Sequence, residues 1–262
     1  MELTFYKFDG AGNDFVVFDN RDGSARLTTD QIARLCHRRF GVGADGLMTL
    51  DTAPEGYDFE MRYYNSDGHL GSMCGNGGRC IAAFAHFLGL GSSLRFLAYD
   101  GPHEADITLW DSAQRLGIVS LGMRSVPVSE VHRCMEGWFL DTGSPHYVQR
   151  VSGLEHFDVV GEGRRLRYLA EVFPEGTNVD FIEDLPDGRL FVRTYERGVE
   201  DETWACGTGI TAAAIVSGNR NLVARGGDFR VSFDTTGQSY NNIRLIGPVS
   251  LNFTGTWIFS AV

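Results

Sequence analysis

Apolar positions in this chain fall mostly in short runs, not in long helical stripes. Phe15-Val16-Val17-Phe18, Phe59-Glu60-Met61-Arg62-Tyr63-Tyr64, Leu190-Phe191-Val192-Arg193-Thr194-Tyr195 and Phe229-Arg230-Val231-Ser232-Phe233 are β-branched or aromatic and bounded by Gly, Asp or Asn. That pattern predicts strands. Turn dipeptides such as Asp22-Gly23, Asp67-Gly68 and Asp187-Gly188 fit the same sheet-rich picture. Two segments depart from it. Residues 79–88 predict a helix ending at Gly89, and residues 210–216 a helix ending near Gly218. Both are apolar or small on nearly every face, and a helix with no polar face has to be buried. A third, amphipathic helix is predicted over 29–38, with Thr28 or Thr29 as its N-cap.

The predicted elements recur. Gly12-Asn13-Asp14-Phe15-Val16-Val17 is answered by Gly143-Ser144-Pro145-His146-Tyr147-Val148, and Arg62-Tyr63-Tyr64-Asn65 by Arg193-Thr194-Tyr195-Glu196. Cys74-Gly75-Asn76-Gly77 is answered by Cys206-Gly207-Thr208-Gly209. The offsets are 131, 131 and 132 residues, too regular for coincidence. The expected fold is therefore α/β (α+β), with two homologous domains, each a sheet wrapped around one central apolar helix. Pro127 marks a junction, giving halves of 1–126 and 127–251.

Composition narrows the function. A net charge of −11 argues against nucleic acid or an anionic membrane as partner, though not against a small anionic substrate held by local donors. No apolar run reaches membrane-spanning length, and the first residues lack a signal-peptide pattern, so a cytoplasmic protein is expected. An odd set of five cysteines then suggests reduced thiols. With neither a CxxC pair nor an HExxH motif, no metal is expected.

The chemistry concentrates at the repeated cysteines. Each precedes a predicted helix at the head of a Gly-rich turn. Exposed N–H groups of a first helical turn favour a thiolate. They also hold carboxylates. Two such helix starts facing each other would set two thiols on opposite sides of a carboxylate-bearing carbon, a geometry for stereochemical inversion. A free thiol titrates near ~8.5, so one cysteine must be helped to ionise while the other keeps its proton. His146 and Glu196, both in repeated segments, are the candidates for that tuning. A single buried cysteine is more often a small core residue than a catalyst, and Cys36, Cys80 and Cys134 are read that way. Cys74 and Cys206 escape it because they occupy equivalent repeat positions. Gly75-Asn76-Gly77-Gly78 lacks the Lys-Ser/Thr of a phosphate loop, which argues against a nucleotide.

Several runs together resemble the diaminopimelate epimerase family. These are Gly12-Asn13-Asp14-Phe15, Asn65-Ser66-Asp67-Gly68, Cys74-Gly75-Asn76-Gly77-Gly78-Arg79-Cys80, Gly176-Thr177-Asn178-Val179, Tyr195-Glu196-Arg197-Gly198 and Ala205-Cys206-Gly207-Thr208-Gly209. The resemblance runs in order from about residue 5 to residue 255. It implies cofactor-independent epimerisation of LL- to meso-2,6-diaminopimelate, for lysine and peptidoglycan synthesis. It implies two β-barrel-like domains with the site in the cleft between them, a last strand (about 252–262) returning to the first half, and a homodimer. Cys74 and Cys206 would carry the proton transfers, with His146 and Glu196 adjusting them. Gly75-Asn76 and Gly207-Thr208 would hold the reacting carboxylate. Asn13, Asn65, Asn178, Glu196 and Arg197 would hold the distal amino-acid end. This chain departs from the family at Gly46, where some members have Gln, and at Ser144, where many have Asn.

Two rivals predict different outcomes. A proline or hydroxyproline racemase-type enzyme of the same fold keeps both cysteines but has no distal end to bind, so the cluster of Asn65, Asn178, Glu196 and Arg197 argues against it. A Cys–His hydrolase would use one cysteine with His146, form an acyl-enzyme and need no second thiol.

Overall fold

The computed structural model describes residues 2–71 and 73–259. The chain divides into two compact units, Met1–Leu121 with Pro248–Val262, and Gly122–Gly247. The first holds β1 (Glu2–Gly10), β2 (Asn13–Asp19), α1 (Thr29–Cys36), β3 (Gly46–Asp51), β4 (Phe59–Asn65), α2 (Gly75–Phe87), β5 (Ser93–Ala98), β6 (Gly101–Asp111) and β7 (Leu116–Gly122). The second holds β8 (Val126–Pro127), β9 (His132–Cys134), β10 (Gly137–Asp141), β11 (Pro145–Arg150), α3 (Val159–Arg167), β12 (Asn178–Asp184), β13 (Leu190–Glu196), β14 (Asp201–Thr203), α4 (Gly207–Ser217), β15 (Asn221–Ala224) and β16 (Gly227–Thr235). The last strand, β17 (Ser239–Ile258), pairs with β16 over its first half. Over its second half it pairs with β1 and also with β7, closing the first unit into an eight-stranded barrel.

The repeat read from the sequence is a repeat of topology. In the first unit β2–β3 and β4–β5 are parallel, and β1–β2, β3–β4, β5–β6 and β6–β7 are antiparallel. In the second, β11–β12 and β13–β15 are parallel, and β10–β11, β12–β13, β15–β16 and β16–β17 are antiparallel. Each parallel pair needs a crossover, and the four α-helices supply them at matching points.

β2 and β3 are covered on both faces, which explains near-continuous apolar runs such as Phe15–Phe18. Val16 and Phe18 face an outer layer with Ile32 and Leu35 of α1. On the inner side Phe8 and Tyr6 meet Phe84 of α2, with ring centroids 5.8 and 4.8 Å apart. Residues from Gly75 to Ala85 of α2 are all buried, as are most of α4. The sheet therefore wraps each apolar helix, as a helix without a polar face requires.

Three helix boundaries differ from the sequence-based expectation. The two central helices begin four and three residues earlier than predicted, so their glycines form the first turn. Glycine is a poor helix former in isolation, but here the crowding demands it. A Cβ on Gly209 would stand 2.2 Å from Asp180 Oδ1, and one on Gly77 3.2 Å from Met48 Sδ. Thr28 caps α1 through a capping box with Gln31, and the helix stops at Cys36 instead of 38. The backbone N–H groups of Gly43 and Ala44 take up the carbonyls of Leu35 and Cys36, which turns the chain away. The sequence reading missed α3 altogether. Its Gly163 hides the helical pattern, yet a Cβ there would lie 2.3 Å from Tyr195 Cβ, so the glycine is what seats the helix on β13. Among the described residues no helix is long and apolar enough to cross a membrane.

Candidate active site

In the first unit the candidate residues gather at the N-terminus of α2. Cys74 is the N-cap, in extended conformation, and the Gly77 N–H donates to its sulfur at 3.2 Å. A sulfur in that place receives the partial positive charge of the helix start. The thiol can donate to Asn13 Oδ1 at 3.8 Å, and Asn76 Nδ2 donates to the same oxygen at 3.3 Å. Asn13 is oriented from behind, because its own amide donates to Asp45 at 2.7 Å. Gly10 on β1 lets this helix start come close, since a Cβ there would stand 2.9 Å from the Asn76 carbonyl oxygen. Asn65 closes β4 and is exposed.

Arg79, which sequence reasoning passed over, sits beneath this turn and is fully buried. It donates to the Gly75 carbonyl at 3.1 Å and to Asn76 Oδ1 at 2.9 Å. Burial holds its guanidinium down at about 10, with Cys80 and Cys74 pulling the other way, so it remains a cation beside the cysteines. For Cys80 itself burial pushes the thiol well up. It is a core residue, as expected.

In the second unit Cys206 is the N-cap of α4, and the Thr208 hydroxyl and the Gly209 backbone N–H act to lower its thiol. Burial pushes the Cys206 thiol well up, and the carboxylates of Glu196 and Asp180 push it the same way. His146 is fully buried on β11. Its Nδ1 lies 2.7 Å from Asp180 Oδ2, and its Nε2 lies 2.9 Å from Thr208 Oγ1. Thr208 Oγ1 is in turn 3.4 Å from Cys206 Sγ. Asp180 is equally buried and accepts the Thr194 hydroxyl at 2.7 Å. Strand register explains the cluster. Thr194 stands opposite Asp180 on β13, and Val148, two residues beyond His146 on the same face of β11, stands beside Asp180 on β12.

Asn178 starts β12. Its amide donates to Ser144 Oγ at 2.6 Å and to the Pro145 carbonyl at 2.9 Å, and its oxygen accepts the Arg197 N–H at 2.8 Å. It thereby pins the Ser144 segment and the Glu196-Arg197 corner together. Glu196 and Arg197 are both half-buried there. Asp180 was the main residue missed. The signal was present, since Asn178 and Asp180 alternate with Val179 and Phe181 at the period of a strand.

Gly46 and Ser144 have distinct surroundings. The ring of Tyr63 fills the space at Gly46, where a Cβ would lie 2.5 Å from Tyr63 Cε2. The Ser144 hydroxyl reaches His146 Nε2 at 3.3 Å.

A sequence model of the family described as diaminopimelate epimerase matches residues 5–122 and 138–238. The chain belongs to the diaminopimelate epimerase family. A relative named diaminopimelate epimerase from Flavobacterium psychrophilum is 42% identical over 264 residues, covering 97% of this chain and all of that relative. Another of the same name, from Chlorobaculum tepidum, is 42% identical and covers 94% of this chain and 98% of its own. Solved structures similar to this one include a probable proline racemase from Agrobacterium radiobacter, with a TM-score of 0.71, 14% identity, and coverage of 98% of this chain and 93% of that one. A hydroxyproline epimerase from Agrobacterium vitis has a TM-score of 0.67, 15% identity, and coverage of 97% and 92%. At such identities the likeness shows a shared fold. Membership of the epimerase family makes this chain an isomerase.

Proposed function

We propose that this protein interconverts LL- and meso-2,6-diaminopimelate by two-base proton transfer without a cofactor. The observation that carries the reading is the repeated placement of a cysteine as N-cap of a buried helix, in a chain of the epimerase family. Inversion at an α-carbon needs a base on one face and an acid on the other. Cys74, with a short bond from the Gly77 N–H and a buried arginine nearby, is the better-placed thiolate. Cys206, buried and beside two carboxylates, is the better-placed thiol. In this reading Cys74 takes the α-proton and Cys206 delivers one.

The first-turn N–H groups at Gly75-Asn76 and Gly207-Thr208 are suited to the α-carboxylate at the reacting centre. Asn13, Asn65, Glu196 and Arg197 supply donors and acceptors for the distal amino-acid end, with the guanidinium fork of Arg197 suited to a carboxylate. Asn178 contributes by holding Arg197 and Ser144 in place. His146 and Glu196 set the ionisation of Cys206. The enzyme is proposed to work as a homodimer in the cytoplasm.

Incubating LL-diaminopimelate with reduced enzyme in heavy water tests the reading. Deuterium should enter at one α-centre, with meso product accumulating. Absence of exchange would refute it. Proline and hydroxyproline, run in parallel, should exchange no deuterium.

A further inference from the structure

The four-residue file Asp180, His146, Thr208 and Cys206 is more than a tuning environment. We propose that Asp180 and Thr208 are positioning residues that make His146 the proton store for Cys206, with the Thr208 hydroxyl as the bridge. The inference rests on the epimerase reading above and adds two residues to it.

The distances fit a relay that runs through all four residues in order. Asp180 accepts from Thr194 through Oδ1, which leaves Oδ2 facing His146 Nδ1 at 2.7 Å. A buried carboxylate holds the proton on Nδ1, so Nε2 is the acceptor. The Thr208 hydroxyl then donates to Nε2 at 2.9 Å and accepts from the Cys206 thiol at 3.4 Å. Ser144, receiving the Asn178 amide, lies 3.3 Å from the same nitrogen. Thr208 is itself anchored, because the Thr142 hydroxyl donates to its carbonyl at 2.9 Å.

The step balances. The Cys206 S–H bond breaks with its electron pair left on sulfur. The proton passes to Thr208 Oγ1 as the threonine proton passes to His146 Nε2. His146 becomes an imidazolium whose Nδ1–H stays on Asp180. The step supplies the thiolate for the direction in which Cys206 is the base, and its reverse restores the Cys206 thiol that delivers a proton in the other direction. A buried thiol beside carboxylates becomes an anion readily only if a cation forms nearby, and the imidazolium is that cation. Gly209 belongs to the device, since any side chain there would collide with Asp180.

The test compares Thr208→Val, which keeps shape and backbone, with Thr208→Ser, which keeps the hydroxyl. Thr208→Val should lower kcat about 10- to 100-fold in both directions, with KM changed less than about twofold, and Thr208→Ser should restore most of the rate. Asp180→Asn should lower kcat similarly, and the double variant should be no worse than either single one. A wild-type rate in Thr208→Val, or losses that multiply in the double variant, would overturn the proposal. An independent readout needs no substrate. In protein labelled with 15N-histidine, His146 should carry its proton on Nδ1, and Asp180→Asn should mix the tautomers. A neutral ring protonated on Nε2 in the wild type would overturn it. If the wild type exchanges no α-proton of diaminopimelate, the functional reading fails while the tautomer experiment still decides the relay.

Discussion

Arg79 and Thr211 occupy the same position in the two repeats and make the same bond, with different charge. Arg79 donates to the Gly75 carbonyl at 3.1 Å, and Thr211 donates to the equivalent Gly207 carbonyl at 3.0 Å. One helix start therefore has a buried cation beneath it and the other a neutral hydroxyl. The repeat makes the two cysteines alike, and this difference between Arg79 and Thr211 helps to set them apart. Arg79→Gln keeps donors at the site and removes the charge. It should slow alkylation of Cys74 by iodoacetamide about fivefold. Peptide mapping by mass spectrometry reads the rate at Cys74 alone, and an unchanged rate would show that the charge does not act on the sulfur.

The three cysteines near the helix starts separate by role. Cys74→Ala and Cys206→Ala should each depress epimerisation by about a thousandfold or more, because each removes an acid–base group with no substitute. Cys80→Ala removes one sulfur from a packed interior and should cost about 1 kcal/mol of stability. Its kcat should stay close to wild type. Turnover assays on all three, with urea melts as control, decide the matter, and equal losses in all three would contradict the assignment.

Asp14 links acid stability to the ground beneath the site. It pairs with Lys7 at 2.6 Å and with Arg38 at 2.7 Å, and its backbone N–H donates to Asp45, the residue that orients Asn13. Burial pushes its carboxyl up, but the hydrogen bonds and charges of Arg38 and Lys7 outweigh burial and hold it at about 2, against an ordinary 3.8. A folded-state value below the unfolded one contributes stability in full above about pH 4, lost as pH falls toward 2. The contribution is on the order of 1–2 kcal/mol, since Arg38 is largely exposed and screened. Asp14→Asn should therefore unfold more easily than wild type at pH 7 and no more easily near pH 2. Urea titrations across that range check it, and a constant gap between the two proteins would refute the linkage.

How much of this was legible in the sequence depended on whether the signal was local. Cys74 and Cys206 stood out because the repeat gave each a counterpart, and buried helices followed from residues 79–88 and 210–216 having no polar face. α3 was hidden because Gly161 and Gly163 break its pattern, and the contact that requires Gly163 comes from Tyr195, far along the chain. Asp180 looked like one polar residue on a strand. Its meaning comes from His146 on one neighbouring strand and Thr194 on the other, and that register is a property of the folded sheet. The asymmetry between the cysteines was invisible for the same reason. Neighbours in space set it, through Arg79 below one helix start and Asp180 and Glu196 beside the other.

Gly46 gives the last prediction. The register places it opposite Asn65 and beside Phe15, among the candidate substrate residues. A Cβ on Gly46 would lie 2.5 Å from Tyr63 Cε2 and 2.7 Å from the Tyr64 carbonyl oxygen. The ring end can swing, but the carbonyl is tied into the β3–β4 ladder and cannot. Gly46→Gln should therefore destabilise by about 2–3 kcal/mol through overpacking. Tyr63→Ala removes the movable half of the clash, so the double variant should recover at least about 1 kcal/mol relative to the sum of the single changes. The remainder, set by the Tyr64 carbonyl, should persist. Additive losses in a double-mutant cycle of urea melts would mean that the ring and the glycine are not matched. Coupling would show that Tyr63 occupies the room a longer residue 46 requires, so that placing an amide side chain here takes two substitutions.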